Sequence, residues 1–292
     1  MPTKSSRSSS VTGRPFPPNS WFTVRRGSSH IRDGSPCQDA AAVWRGHLPQ
    51  GQVTILVAAD GHGDERYDLS EHGARLAVQT AMTCLRSFCR RFSSSSSLLY
   101  NAVRHDFAHR LTRQWRQAVL RHYSELFPDD QTVNSRPSSS VYRRYGTTLI
   151  FAIAFDDCLI GGQIGDGDMT VAHMDGQVGR PIPPAETLIA NETHSLISTD
   201  SIRLWRYCRW TLHEPCLICL STDGLSNGFA SDQAFDDFLR SLVKNIENYG
   251  FKETAAIVPG FLDRVSGSGS GDDISLAMFW QADPRRWHKA KK

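Results

Sequence analysis

Three apolar runs in this chain end or begin on aspartate. Residues 53–59 lead into Asp60-Gly61-His62-Gly63, residues 216–221 run into Thr222-Asp223-Gly224, and Asp272-Asp273 precede residues 274–280. Two further carboxylates, Asp166 and Asp168, alternate with glycine, and Asp39 follows Gln38 ahead of Ala40-Ala41-Ala42-Val43. Short apolar runs bounded by Gly and Asp are strand signals, which places these acids at strand ends. Carboxylates gathered there repel one another unless cations join them, and a donor set made only of oxygen selects hard divalent ions, Mg²⁺ or Mn²⁺, over Zn²⁺. Two such ions about 4 Å apart can bind and deprotonate a shared water for in-line attack on phosphorus. The plainer reading of any single Asp-Gly pair is a turn; three junctions, each against a strongly apolar run, weigh against it. His62 in a glycine-rich turn would ordinarily be just exposed, but two residues past Asp60 it can move a proton at the same place.

The elements that must position these residues are legible from periodicity. The runs at 53–59, 148–155, 158–164, 169–174, 216–221 and 274–280 predict strands. Four stretches between them have helical spacing. Ala74, Ala77, Val78, Ala81, Leu85, Phe88 and Phe92 share one face of the first, and Leu99, Val103, Phe107, Leu111, Trp115 and Val119 line the second. Phe235, Phe238, Leu239, Leu242 and Ile246 line a third, and Ala255, Val258, Phe261 and Leu262 a weaker fourth. Hairpin-like strand neighbours with segregated helices predict an α+β fold with antiparallel sheets, not a parallel doubly wound one. Residues 1–20, rich in Ser, Pro and Arg, read as a disordered leader, with an organellar transit peptide disfavoured by its prolines. Residues 21–281 then form one domain and 282–292 a basic tail. The polar stretches 92–99 and 128–140 read as linkers inside that domain, because neither half alone has enough strands to close a core.

The segments AADGHGD, YGTTLIFAIAFDDCLIGGQIGDGD, LSTDGLSNGF and GDDISLAMF, in this order and spacing, resemble the metal-dependent protein phosphatases of the PPM family, protein phosphatase 2C. The start GSSHIRDGSPCQDAAAV is similar to the opening strand of the family's bacterial-type branch. The resemblance covers roughly residues 20 to 281 and implies a four-layer α-β-β-α sandwich: two central antiparallel sheets flanked by helix pairs. It implies a centre of two Mg²⁺ or Mn²⁺ ions at one end, with a third, weaker ion of the kind some members hold. Asp60 would bridge the two metals, the Gly61 carbonyl would bind one, and Asp223 and Asp272 would complete the other. Asp39 would hold metal-bound water, with Gln38 standing where many members have Glu. Asp166 matches the third-ion ligand, and His62 the residue proposed to protonate the leaving serine or threonine oxygen. Members commonly carry an arginine before the first Asp to grip substrate phosphate; here Gly34 stands five residues before Asp39. Arg32 is the expected replacement, with His30 as the alternative and Arg25 and Arg26 further back. The implied activity is a serine/threonine phosphoprotein phosphatase in which a metal-bound hydroxide attacks phosphorus directly, with phosphoserine and phosphothreonine proteins as partners. The 185–213 stretch occupies the place of the family's variable flap and is expected to shape substrate choice.

Composition agrees. Hydrophobic residues make up 39% and charged residues 22%, ordinary for a globular chain. No apolar stretch approaches the roughly 20 residues that span a bilayer, and no apolar signal core opens the sequence. Seven cysteines, an odd number without framework spacing, fit a reducing compartment and a cytoplasmic location. A net charge of +3 is too mild to argue for nucleic acid, and no membrane partner is expected. Cys216-x-x-Cys219 has redox spacing but lies inside a predicted strand, where residues three apart face opposite ways. The GSGSGDD loop precedes a strand, unlike a phosphate-cradling loop that opens a helix. Arg104, Arg110, Arg113, Arg116 and Arg121 read as a solvated helix face, or as a dock for an acidic partner. Two rivals to the enzyme reading are a catalytically silent phosphoprotein-binding module of the same fold and a phosphatase of a small phosphorylated metabolite. The retained Asp60, Asp223 and Asp272 argue against the first.

Overall fold

The computed structural model describes residues 19–48, 51–92, 94–130, 139–155, 157–183 and 193–282. Residues 1–18 of the expected leader, 283–292 of the basic tail, 131–138 of the 128–140 linker and 185–192 of the flap-like stretch lie outside the described residues; Ser20, the last residue of the expected leader, opens the first strand. In chain order the elements are β1 (Ser20–Arg25), α1 (Ser28–Asp33), β2 (Asp39–Leu48), β3 (Gly51–Asp60), α2 (Ser70–Phe92) and α3 (Ser96–Leu126). They continue with α4 (Ser139–Arg143), β4 (Leu149–Phe155), β5 (Cys158–Ile164), β6 (Asp168–His173), β7 (Val178–Gly179), β8 (Arg206–Thr211) and β9 (Cys216–Ser221). The last are α5 (Asp223–Ser226), α6 (Asp232–Tyr249), α7 (Phe251–Ser268) and β10 (Ile274–Gln281). All six predicted strands and all four predicted long helices form. The opening segment differs from expectation: residues 28–33 are a turn of helix, and only from Asp39 does the chain become extended.

The strands make two antiparallel sheets, ordered β1-β10-β9-β6-β7 and β2-β3-β4-β5-β8. Because side chains alternate across a strand, each central strand feeds two cores. Leu56 and Ala58 of β3, Ile150, Ala152 and Ala154 of β4, Ile218 and Leu220 of β9, and Ala277 and Phe279 of β10 pack between the sheets. The intervening residues of β3 and β4, including Ile55, Val57, Phe151 and Ile153, pack under α2 and α3 around Phe107 and Trp115. Leu217, Leu276 and Met278 pack under α6 and α7 against Phe238, Leu242 and Leu262. This is the four-layer sandwich. Each fully buried side chain of this size contributes about 1.5–3 kcal/mol, so burial on both faces fixes strand register. A slip of one residue would move every apolar side chain to the wrong core.

The same alternation settles the cysteine pair. Cys216 packs between the sheets and Cys219 under the helices, both unpaired; burial pushes the Cys216 thiol up to about 12. On α3, Arg110 and Arg116 lay their guanidinium groups over Phe88 and Tyr142, while Arg104, Arg113 and Arg121 are exposed. Ser95, in the serine-rich stretch, caps α3 by accepting from the Ser97 amide at 3.2 Å, which is why the two long helices break there. Among the described residues no helix is long and apolar enough to cross a membrane.

Candidate metal centre

Strand parity carries the acids to one place. Asp60 continues the Leu56–Ala58 face of β3, so it points into the space between the sheets at the open end. Its cross-strand partner is Asp39, which continues the Ala41–Val43 face of β2 in the same direction. On the opposite sheet Asp223 follows β9, and Asp272 and Asp273 precede β10, at the same end. Asp60, Gly61, His62, Asp166, Asp223 and Asp272 line one cavity of about 200 Å³, with His30 and Asp273 on its wall. At about 30 Å³ per water that volume holds roughly six or seven waters.

Both Asp-Gly junctions owe their glycine to close backbone approach. Neither Gly61 nor Gly224 has a positive φ. A Cβ on Gly61 would sit 2.7 Å from the Gln38 carbonyl oxygen and 2.8 Å from that of Ser70. A Cβ on Gly224 would collide with the Asp273 carbonyl oxygen. Glycine therefore lets each acid-bearing segment lie against the next one.

The acids are arranged as a cluster that lacks countercharge. Asp39 is buried; its Oδ2 accepts from the Thr222 hydroxyl at 2.7 Å, and that hydroxyl in turn accepts from the Ser275 amide at 2.9 Å. Asp223 Oδ2 accepts from Asn227 at 3.0 Å. The remaining oxygens, Asp39 Oδ1 and Asp223 Oδ1, are buried without a hydrogen-bond partner among the described residues. Burial, reinforced by the neighbouring carboxylates, raises the pKa of Asp39, Asp60, Asp223 and Asp272 above the ordinary carboxylate range. Orphaned, desolvated carboxylate oxygens converging from two sheets fit a hard divalent cation. Among the described residues no three Asp, Glu, His or Cys side chains form a preformed cage for a single ion.

His62 stands at the cavity wall with its ring centroid 4.8 Å from that of Tyr67. Burial lowers its pKa, and the Asp166 charge partly restores it. Asp166 is exposed, and its Oδ2 accepts from the Thr193 hydroxyl at 2.7 Å. Its loop is shaped from below by buried Gln163, whose amide donates to the Gly165 and Gly167 carbonyls. Asp168, its neighbour in sequence, does not line this cavity.

Arg32 is the expected residue that the fold does not bring in. It is exposed on α1 and does not line the cavity, whereas His30 does. Two residues apart on a helix means about 200° of rotation, so only one of the pair can face the acids. His30 Nδ1 lies 3.0 Å from Asp273 Oδ1, an ion-pair distance whose alignment falls short of a good hydrogen bond. Asp273, named in the sequence only as the neighbour of Asp272, had no role assigned to it. Buried, it accepts from the Gly27 amide at 2.6 Å and the Gln38 amide at 2.6 Å, and so pins the α1–β2 loop beside the cavity. Its sequence signal was its place next to Asp272; its partners lie more than two hundred residues away.

Two stacked antiparallel sheets between helix pairs, with aspartates converging at the open end of the inter-sheet face, form the architecture of the metal-dependent protein phosphatases. The protein phosphatase 2C family profile matches residues 26–258, most of the chain, and the protein belongs to that family of serine/threonine phosphatases. Solved structures agree on the fold. A bacterial serine phosphatase is 15% identical with a TM-score of 0.59, covering 90% of this chain and 98% of its own. PppA, described as a key regulatory component of T6SS in Pseudomonas aeruginosa, is 15% identical with a TM-score of 0.56, covering 90% and 97%. The catalytic domain of the serine/threonine protein phosphatase PstP, solved with two manganese ions, is 15% identical with a TM-score of 0.51, covering 90% and 98%. No protein of curated function matches the sequence.

Proposed function

We propose that this phosphatase is divalent-metal dependent and removes phosphate from phosphoserine and phosphothreonine in proteins, with residues 21–281 as its catalytic domain. The observation that carries this reading is the pair of orphaned buried oxygens, Asp39 Oδ1 and Asp223 Oδ1, beside Asp60 and Asp272. Asp60, the Gly61 carbonyl, Asp223 and Asp272 would hold two Mg²⁺ or Mn²⁺ ions, with Asp39 behind them. When bound, such ions lower the pKa of water and neutralise charge on the phosphoryl group. Asp39, anchored by Thr222, orients water in the centre. His62 in its protonated form donates to the leaving seryl or threonyl oxygen; burial makes it a stronger acid than a free imidazole. The test is phosphatase assay of the purified protein on para-nitrophenyl phosphate and a phosphothreonine peptide. Activity should vanish with EDTA and return with Mn²⁺ or Mg²⁺; full turnover after exhaustive chelation rejects the reading.

His30, backed by Asp273, takes the phosphate-gripping role expected of Arg32. His30→Ala should raise KM for the phosphopeptide about ten-fold, the loss of one charge-assisted contact, while Arg32→Ala stays close to wild type. The opposite ranking restores Arg32. Asp166 is assigned to a third, weaker ion. Asp166→Asn keeps an acceptor for Thr193 but loses the charge, so it should lower turnover and shift the metal concentration for half-maximal activity. A metal titration indistinguishable from wild type makes Asp166 a turn residue only.

A further inference from the structure

The His62 ring rests on a glycine. Gly146 is buried in the loop before β4, and its carbonyl accepts from the His62 amide at 3.1 Å. A Cβ on Gly146 would stand 2.6 Å from His62 Cδ2, 2.9 Å from Tyr67 Cδ1 and 3.0 Å from Ile197 Cδ1. Three side chains from separate segments therefore meet over this one Cα. Gly146 has no positive φ, so its backbone would accept a side chain, and the crowding comes from those three neighbours. Tyr67 closes the seat from one side, its ring centroid 4.8 Å from that of His62 with the planes at 58°. The segments that build the seat are stitched together. The Leu69 amide donates to the Arg144 carbonyl at 2.9 Å, and Arg144 forms a two-pronged ion pair with Asp68 at 2.8 and 2.7 Å. Ile197 follows Leu196, whose amide donates to the Thr147 carbonyl at 3.0 Å. His62 lines the metal cavity while Tyr67, Gly146 and Ile197 do not, so they act on the ring from outside it.

We propose that Gly146 and Tyr67 are positioning residues, a seat that fixes the His62 ring for proton transfer to the leaving oxygen. This rests on the reading of His62 as the proton donor. His62 lies between Gly61 and Gly63, a turn in which a side chain would otherwise spread over its staggered rotamers. Contact with the seat selects one of them. Carbon atoms pack at about 3.5–4.0 Å, so Gly146→Ala makes the ring retreat by about 1 Å. A misplacement of that size costs a reaction step about a hundred-fold.

The test compares two leaving groups. Nitrophenolate departs near neutral pH without a proton, whereas a threonyl oxygen needs one. Loss of fold or of metal lowers both rates in proportion; misplacing the proton donor lowers the peptide rate selectively. The ratio of kcat on a phosphothreonine peptide to kcat on para-nitrophenyl phosphate is therefore measured with Mn²⁺, and circular dichroism checks folding. Gly146→Ala should lower this ratio about a hundred-fold, with the peptide KM near that of wild type. Tyr67→Ala should lower it about three-fold, the share of one rotamer among three, and Tyr67→Phe, which keeps the ring, should restore it. His62→Gln should lower it at least as far as Gly146→Ala. If His62→Gln is selective and the ratio is unchanged in a folded Gly146→Ala or in Tyr67→Ala, the seat is overturned and His62 remains the donor. Should Gly146→Ala fail to fold, the two Tyr67 variants decide. An unchanged ratio in His62→Gln rejects the donor reading and the seat with it, and leaves the phosphatase reading standing. Turnover of neither substrate by wild type rejects all three.

Discussion

Asp60→Asn should lose turnover by roughly a thousand-fold or more, about 4 kcal/mol of transition-state stabilisation, while folding normally. The side chain faces the cavity at the end of β3 and contributes nothing to either core. Its backbone is anchored independently of the carboxylate. The Asp60 amide donates to the Thr148 hydroxyl at 3.1 Å, and its carbonyl accepts from the Thr147 hydroxyl at 2.9 Å and the Thr148 amide at 2.8 Å. Asparagine keeps the shape and loses the charge that an ion bridged by this residue requires. The amide also gains donors facing Asp39 and Asp223, so the metal-free variant should melt no lower than wild type. Circular dichroism and a Mn²⁺-supplemented assay check both halves. A folded variant that keeps more than a tenth of wild-type rate removes Asp60 from the metal centre.

How far this was legible in the sequence depends on whether the causes are local. Strands β3, β4, β9 and β10 are buried on both faces, so they read as near-continuous apolar runs. Edge strand β8, with Arg206 and Arg209 interrupting it, has no such run and lay hidden in the flap-like segment. In β2 the run after Val43 breaks at Arg45, Gly46 and His47. Trp44, however, still packs towards the helices with Arg86 over its ring at 4.9 Å. The acids were found because each sits next to an apolar run, but their convergence is a matter of parity. Even positions of β3 and odd positions of β2 share the inter-sheet face, which becomes certain only when register is known. Asp273 and Gln163 received no role because their work is to hold backbone from other segments. Arg32 lies exposed, outside the cavity lining, because it sits on a single helical turn that the sequence presented as an extended approach to β2.

Metal and acid should each stabilise the fold and compete in doing so, and their competition should depend on Asp60. In the metal-free protein Asp39, Asp60, Asp223 and Asp272 all have raised pKa values. The folded state then binds more protons than the unfolded chain between the ordinary carboxylate range and the raised values. Their contribution is fully present at low pH and is lost as pH rises through the folded pKa values. His62 opposes this: its pKa is lowered, so its contribution fades as pH falls. With four carboxylates against one imidazole in this cluster, relieving their repulsion by acid should raise the melting temperature of the EDTA-treated protein as pH falls towards the ordinary carboxylate range. Mn²⁺ replaces those protons. At a hundred-fold excess over Kd one ion adds about 2.7 kcal/mol, which is about 5 °C for a chain of this size. Because protons compete for the same oxygens, the increment should shrink as pH falls. Thermal melts over this pH range, with EDTA and with Mn²⁺, therefore give curves that converge at low pH and separate at high pH. In Asp60→Asn the EDTA curve should flatten, since one of the four buried, mutually repelling charges is gone, and the Mn²⁺ increment should largely disappear. Parallel pH curves with and without Mn²⁺ in wild type would mean that the four aspartates do not share a cation.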